Sequence, residues 1–309
     1  MKQNKLYIDE MMRLYAVVCC LGVALASPPL AKSREEIQAF RSFLENTQKE
    51  NAGLSRKTSP INGVSLLLDN PELYSGKFEG DIVLDDWQIE AMVQEYAMGR
   101  NAYTWPDTKW PDNTVIWEFG EGPTFDPQQV ADIEEAIADI ERHTCVKFRY
   151  REPNDTAYVS VTGIAGGCWA DLGYWEARGA HSYNVARNTS GLGCFSRSSI
   201  VHEWMHILGF FHMHSTYDRD DYIRIAFENI QPGMEGNFMV ESPVNVTNYG
   251  LPYDYVSCLQ YPARAFSING LPTIVALQDH EGVMGQREYI TDMDWKRINR
   301  HYNCPGAWD

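Results

Sequence analysis

The sequence predicts an α+β fold, in which a mixed helix–strand half leads into a metal-binding helix and a loop-rich half follows it. Three observations carry that expectation. Segments of two-residue hydrophobic alternation recur between positions 113 and 186, as half-buried strands require. Stripes of apolar residues at helical spacing stand among them and again near the C-terminus. Between the two halves, residues 202–212 read His202-Glu203-Trp204-Met205-His206-Ile207-Leu208-Gly209-Phe210-Phe211-His212.

Taken in order, residues 33–50 are polar and helix-prone, and 60–80 read as loop. Residues 113–119 alternate, with Val115, Trp117 and Phe119 on one face of a strand. Asp126-Pro127 opens a helix that runs to about His143. Asp126 suits the N-cap, and Pro127 fits the first turn, where a missing N–H costs nothing. Val130, Ile133, Ile137 and Ile140 form its buried stripe. Residues 146–150, 157–162 and 182–186 read as further strands. The metal helix spans roughly 198–208, and a last helix over 292–302 sets Trp295, Ile298 and Tyr302 on one side. There are no internal repeats and no low-complexity segments.

Composition narrows the class. The chain has 309 residues, with Lys+Arg 26 against Asp+Glu 42 and a formal net charge of -16. Nucleic acid and anionic membrane would repel it, so neither is an expected partner. With Trp 9, Tyr 17 and Phe 12, a sizeable core is feasible. Arg13 precedes an apolar run over 14–26 that ends in Ala24-Leu25-Ala26 before Ser27. Basic flank, short apolar core and small-x-small end make a secretory signal peptide over 1–26. The run is too short for a bilayer anchor, and the polar stretch before it suggests a start at Met11 or Met12. No later segment is apolar enough to span a membrane, so a soluble extracellular product is expected.

Seven cysteines are present, of which Cys19 and Cys20 fall in the leader. Cys145, Cys168, Cys194, Cys258 and Cys304 remain. In an oxidising compartment that odd set implies two disulfides and one free thiol, with the pairing open at this level. Asn154, Asn188 and Asn245 begin glycosylation sequons. The chain ends five residues after Cys304, so no appended adhesion domain is expected.

The eleven-residue motif carries the chemistry. On a helix, His202 and His206 lie four apart on one face and can turn two imidazoles to one metal ion. Glu203 stands beside the first of them, within reach of a water at that ion. Gly209 falls where the helix should end, because glycine enters the left-handed region without a Cβ clash. The chain can then turn and bring His212 round as a third ligand. Three neutral imidazoles leave one position open, the arrangement of a catalytic rather than a structural zinc. Five fixed residues in this order should arise by chance on the order of once in millions of positions.

The wider sequence resembles a family. Residues 202–225, HEWMHILGFFHMHSTYDRDDYIRI, resemble the astacin family of secreted zinc endopeptidases, which are metzincins. Tyr253-Asp254-Tyr255-Val256-Ser257-Cys258-Leu259-Gln260-Tyr261 looks like that family's Met-turn segment, and Ala265-Phe266-Ser267-Ile268-Asn269 continues the match. The resemblance spans about 101–305, with a matching prosegment upstream. It implies a two-lobed metzincin-type zinc protease domain. The N-terminal lobe would hold a twisted sheet and two long helices, and the loop-rich C-terminal lobe a final helix. The implied layout is signal peptide 1–26, propeptide 27–100 and catalytic domain 101–309.

Carried over residue by residue, the resemblance makes His202, His206 and His212 the zinc ligands and Glu203 the catalytic carboxylate. Tyr261 takes the place of a tyrosine that touches zinc at rest and swings away on substrate binding. Cys145 with Cys304, and Cys168 with Cys194, match the family disulfides. Phe78-Glu79-Gly80-Asp81 resembles an aspartate switch, with Asp81 on the zinc. Latency would end on cleavage at Arg100-Asn101 by a trypsin-like protease. Arg287 resembles a position lining the S1′ pocket in some members, implying an acidic residue after the cut bond; a solvated surface arginine is the alternative.

Three positions depart from the family pattern. Met213 replaces the glutamate that holds the mature N-terminus, Leu259 replaces the Met-turn methionine, and Gln260 replaces a histidine. Leucine fills similar apolar volume, so zinc binding is expected to persist. Cys258 reads as a buried filler or as a redox-sensitive thiol. The implied function is a latent, secreted zinc endopeptidase acting on extracellular proteins or peptides. The alternative is an inactive zinc-bearing relative that binds such proteins.

Overall fold

The computed structural model of the chain describes residues 32–48, 70–98, 108–241, 243 and 246–309. The expected leader, the Arg100-Asn101 bond and the Asn245 sequon lie outside them.

Helix α1 (Arg34–Thr47) starts at a capping box, in which Ser33 and Glu36 each satisfy the other's backbone N–H. The turn Pro71–Tyr74 follows, then β1 (Ile82–Val83) and helix α2 (Asp86–Met98). Sequence reading offers no helix at α2. The reason is its burial: Gln88, Ile89, Ala91, Met92, Val93 and Ala97 are all covered, so no single apolar stripe marks it. Phe40 and Leu44 of α1, Ile89 and Met92 of α2, and Phe78, Ile82 and Leu84 close a small core. That core takes in Leu172 and Phe211 from the rest of the chain.

The N-terminal lobe follows the expected order. Its elements are β2 (Thr114–Phe119), α3 (Pro127–His143), β3 (Lys147–Tyr150) and β4 (Tyr158–Thr162). Then come β5 (Cys168–Asp171), β6 (Ala180–Val185) and α4 (Arg197–Ile207). Asp126 caps α3 by accepting from the N–H groups of Gln128 and Gln129. Val130 is half-buried, and Gln129 joins the buried side in its place. The six-stranded sheet runs β1-β5-β6-β4-β2-β3, antiparallel only between β5 and β6. β5 was not foreseen; four residues with three buried show no alternation. It is the edge of the lobe's own sheet, and β1 from upstream pairs along it in parallel. Val115, Trp117, Ile133, Ile140, Trp204 and Met205 share the main core beneath the sheet.

The C-terminal lobe is loop-rich, with a small antiparallel pair of β7 (Ile223–Ile225) and β8 (Ile274–Ala276). Helix α5 (Asp292–His301), capped by Thr291, buries Trp295 and Ile298, and Tyr302 is buried at its C-cap. The structure pairs Cys145 with Cys304 and Cys168 with Cys194, and leaves Cys258 free and buried. Asn154 is exposed, whereas Asn188 is half-buried and its carboxamide oxygen accepts from Cys194 N at 3.1 Å. Among the described residues, no helix is long and apolar enough to cross a membrane.

The Cys145–Cys304 bond joins the end of α3 to the end of α5 across a separation of 159 residues. Replacing both cysteines by serine frees that loop in the unfolded chain. Unfolding stability should fall by about 2–5 kcal/mol, read by denaturant titration. A change under about 1 kcal/mol would refute the constraint.

Candidate metal centre

Helix α4 carries the first two histidines and ends as the spacing requires. Leu208 is the C-cap, Gly209 adopts φ 100°, and Phe210 N donates to Met205 O at 3.1 Å while Gly209 N donates to His206 O at 2.8 Å. That pair of bonds is a Schellman closure. It reverses the chain and carries His212 back toward α4. A Cβ at position 209 would approach Thr108 Oγ1 to 3.2 Å and His301 Nε2 to 3.3 Å, so both conformation and space favour glycine.

The three imidazoles and Asp81 converge in a fully buried cluster whose ligating atoms lie within 4.8 Å of one another. His202 and His206 Nε2 stand 3.1 Å apart. Asp81 Oδ2 is 3.0 Å from His202 Nε2, and Oδ1 is 3.5 Å from both His206 Nε2 and His212 Nε2. Each outward nitrogen has an acceptor: His202 Nδ1 the Cys258 carbonyl at 2.7 Å, His206 Nδ1 the Phe210 carbonyl at 2.7 Å, and His212 Nδ1 Glu79 Oε2 at 2.8 Å. Protons on Nδ1 leave the Nε2 lone pairs facing inward. His212 Nε2 and Asp81 Oδ1 have no hydrogen-bond partner although buried. The converging inner nitrogens of three imidazoles and a carboxylate, with His212 Nε2 and Asp81 Oδ1 unsatisfied, are the donor set of a four-coordinate zinc site.

Electrostatics around the cluster have clear causes. Burial works to raise Asp81, yet the facing His212 and His206 and the bond to His202 hold its carboxyl well below the usual range. Glu203 is buried with neither oxygen bonded, and burial, then Asp81 and Glu72, push it well up. Tyr261 is buried; its hydroxyl donates to the Glu79 carbonyl at 2.5 Å and its ring stacks on His214 at 3.8 Å. Cys258 is fully buried, with Sγ 3.4 Å from Met205 Sδ, and burial raises its thiol well above the ordinary value. That environment favours the filler reading over a reactive thiol. Asp294 accepts from Cys258 N at 3.0 Å and from Ser257 Oγ at 2.5 Å. This fixes the carbonyl that orients His202.

Comparison with known proteins closes the assignment. Residues 102–303 match the model of the astacin family, peptidase family M12A. The chain belongs to the astacin family. It is 37% identical over 229 residues to zinc metalloproteinase nas-14 of Caenorhabditis elegans, covering 74% of this chain and 43% of that protein. With seminal metalloprotease 1 of Drosophila melanogaster it shares 34% identity over 244 residues, covering 78% of this chain and 92% of that one. Among solved structures it is similar to high choriolytic enzyme 1, a hatching enzyme zinc-protease of the medaka Oryzias latipes. That match has a TM-score of 0.55 and 32% identity, and covers 63% of this chain and 93% of the other. The fold is the α+β metzincin fold of that family, and the three histidines form its zinc-binding cluster. The chain is an astacin-family zinc metalloprotease.

The structure brings Asp81, Glu203, Tyr261 and the three histidines together, and it places Arg287 beside them. Arg287 is no solvated surface residue: its side chain is 6% exposed and pairs with Glu72 through Nη2 at 2.5 Å and Nε at 2.9 Å. Sequence reading missed Glu72 and Glu79. Glu79 stands within the quoted Phe78-Glu79-Gly80-Asp81 stretch, but nothing local distinguishes it from a solvated turn residue. Gly80 beside it adopts φ 88°, where a Cβ would meet Leu73 Cα at 2.9 Å.

Proposed function

We propose that the chain is a secreted zymogen with a leader at 1–26, a prosegment at 27–100 and a peptidase domain at 101–309. The observation carrying this reading is the Asp81 carboxylate, which faces all three zinc-binding nitrogens at 3.0–3.5 Å. It stands where a reacting water would have to bind. The two disulfides suit an oxidising, extracellular compartment. Cleavage after Arg100 by a trypsin-like protease would let β1 leave the β5 edge. An extended stretch of an extracellular protein can then pair there through its backbone.

His202, His206 and His212 would hold zinc, which when bound would supply the Lewis acidity that polarises a scissile carbonyl and brings the pKa of water toward about 7. The side chains supply the rest. Glu203, with both oxygens unbonded, takes the proton of the attacking water and hands it to the leaving nitrogen. Tyr261, freed from the Glu79 carbonyl, donates to the oxyanion as it forms. The processed protein should cleave denatured protein substrates, lose all activity to a chelator and regain it with zinc. A processed, zinc-loaded protein without activity would support the binding-protein alternative.

Arg287 supports a preference for an acidic P1′ residue. A carboxylate, that of Glu72, already docks on it in a buried pair. Charge-assisted bonds of this kind favour Asp or Glu over the neutral amide by roughly 10–100-fold in kcat/KM. Arg287→Ala should abolish the preference while sparing a substrate with neutral P1′. Equal rates for P1′ Asp and Asn in the wild type would sink the assignment.

A further inference from the structure

The three zinc-binding histidines differ in what holds their outward nitrogen. His202 and His206 use backbone carbonyls of the peptidase domain, Cys258 and Phe210. For His212, the acceptor among the described residues is Glu79 Oε2, at 2.8 Å and 133 residues upstream. One imidazole of three is therefore oriented by a carboxylate from the prosegment.

Glu79 is held to that task from every side. Its N–H donates to Asn237 Oδ1 at 2.9 Å, and its carbonyl accepts from Tyr261 Oη at 2.5 Å. His212 N also faces Oε2 at 3.4 Å. Its φ is 46°, in the left-handed region that residues with a Cβ seldom adopt. Such a conformation persists where the surroundings over-determine it, and it clusters at functional sites. Glu79 is also fully buried, with Oε1 unbonded. A residue that served only to pass the chain from Phe78 to Gly80 would not need a buried carboxylate.

A carboxylate on the outward N–H of a ligating histidine fixes the tautomer and the ring orientation, and strengthens the inner nitrogen as a donor. We propose that Glu79 is a positioning residue for zinc: through His212 it makes the uncleaved chain hold the metal more tightly than Asp81 alone would. The inference rests on the prosegment reading above. It implies that zinc is loaded before processing, and that cleavage removes an outer support of His212 together with the blocking Asp81.

The test is zinc affinity by chelator competition on the full, uncleaved chain, for wild type, Glu79→Gln, Glu79→Ala and Asp81→Ala. Losing such a partner costs about 10–100-fold in metal affinity. Glu79→Ala should show that loss and Glu79→Gln a smaller one, since the amide keeps an acceptor oxygen without the charge. Cobalt-loaded Glu79→Ala should also show an altered visible spectrum. Protease resistance of residues 70–98 reports whether the prosegment stays docked; if Glu79→Ala undocks it, Glu79→Gln decides. Zinc affinity within about twofold of wild type, with the prosegment docked, would overturn the proposal. Uncleaved Asp81→Ala, assayed for peptidase activity, tests latency separately. An active Asp81→Ala with an unaffected Glu79→Gln would refute this inference alone. A silent Asp81→Ala with a weakened Glu79→Gln would refute Asp81 as the switch and leave this inference standing.

Discussion

Glu203→Gln should leave the chain folded and zinc-loaded while lowering kcat/KM of the processed enzyme about 10³- to 10⁴-fold. The amide has the shape of the carboxylate but cannot accept and return a proton. Two features of the site make the variant clean. Neither Glu203 oxygen has a protein partner, so no cation or donor is orphaned by the change. Nor does Glu203 belong to the convergent cluster of Asp81, His202, His206 and His212. An unpaired buried carboxylate costs stability, so the uncleaved variant should unfold at the same temperature as wild type or slightly higher. Activity within tenfold of wild type at full zinc content would remove Glu203 from the proton path. A large loss of bound zinc would instead give it a part in holding the metal.

The elements read correctly from sequence are those whose signals are local. Asp126-Pro127 set the start of α3, and the Leu208-Gly209 step set the end of α4, within a residue or two. The zinc-binding histidines were legible because a helix and one glycine turn bring them together, needing little of the remaining fold. What was hidden depends on distant partners. β1 and β5 exist as strands because they pair, Ile82 with Ala170 and Val83 with Asp171, and neither carries a pattern alone. Helix α2 is covered by α1 on one side and donates Gln88 Nε2 to the Leu172 carbonyl on another, which erases its stripe. Glu72 and Glu79 look like surface acids until Arg287 and His212 are placed against them, 215 and 133 residues away. The departures at 213 and 259 are apolar packing: Met213 and Leu259 are both buried, and Met213 N donates to the Leu259 carbonyl at 3.0 Å. Those two positions tie the segment that carries the third histidine to the turn at Leu259 without a charge.

On the proposed zymogen reading, latency is held at more than one point, and this sets the second large effect. Asp81→Ala in the uncleaved chain removes the carboxylate from the three imidazoles but leaves the rest of the prosegment docked. Glu72 still pairs with Arg287, Asn70 Nδ2 still donates to the Gly285 carbonyl at 3.0 Å, and Arg178 still bridges Asp85 and Asp171. The apolar contacts of Phe40, Leu44 and Ile82 with Leu172 and Phe211 also remain. Asp81→Ala alone should therefore raise the activity of the uncleaved chain about 10–100-fold, the worth of one set of charge-assisted bonds. It should still fall short of the processed enzyme, because the prosegment continues to cover the β5 edge. Adding Glu72→Ala should bring a further gain of similar size. The docked form would then bury an unpaired Arg287, whereas release hydrates it. Uncleaved single and double variants, assayed against a short peptide with proteolysis at Arg100 blocked by Arg100→Ala, separate the two locks. If the double variant is as silent as wild type, the prosegment blocks the site by coverage alone, and neither carboxylate is a switch.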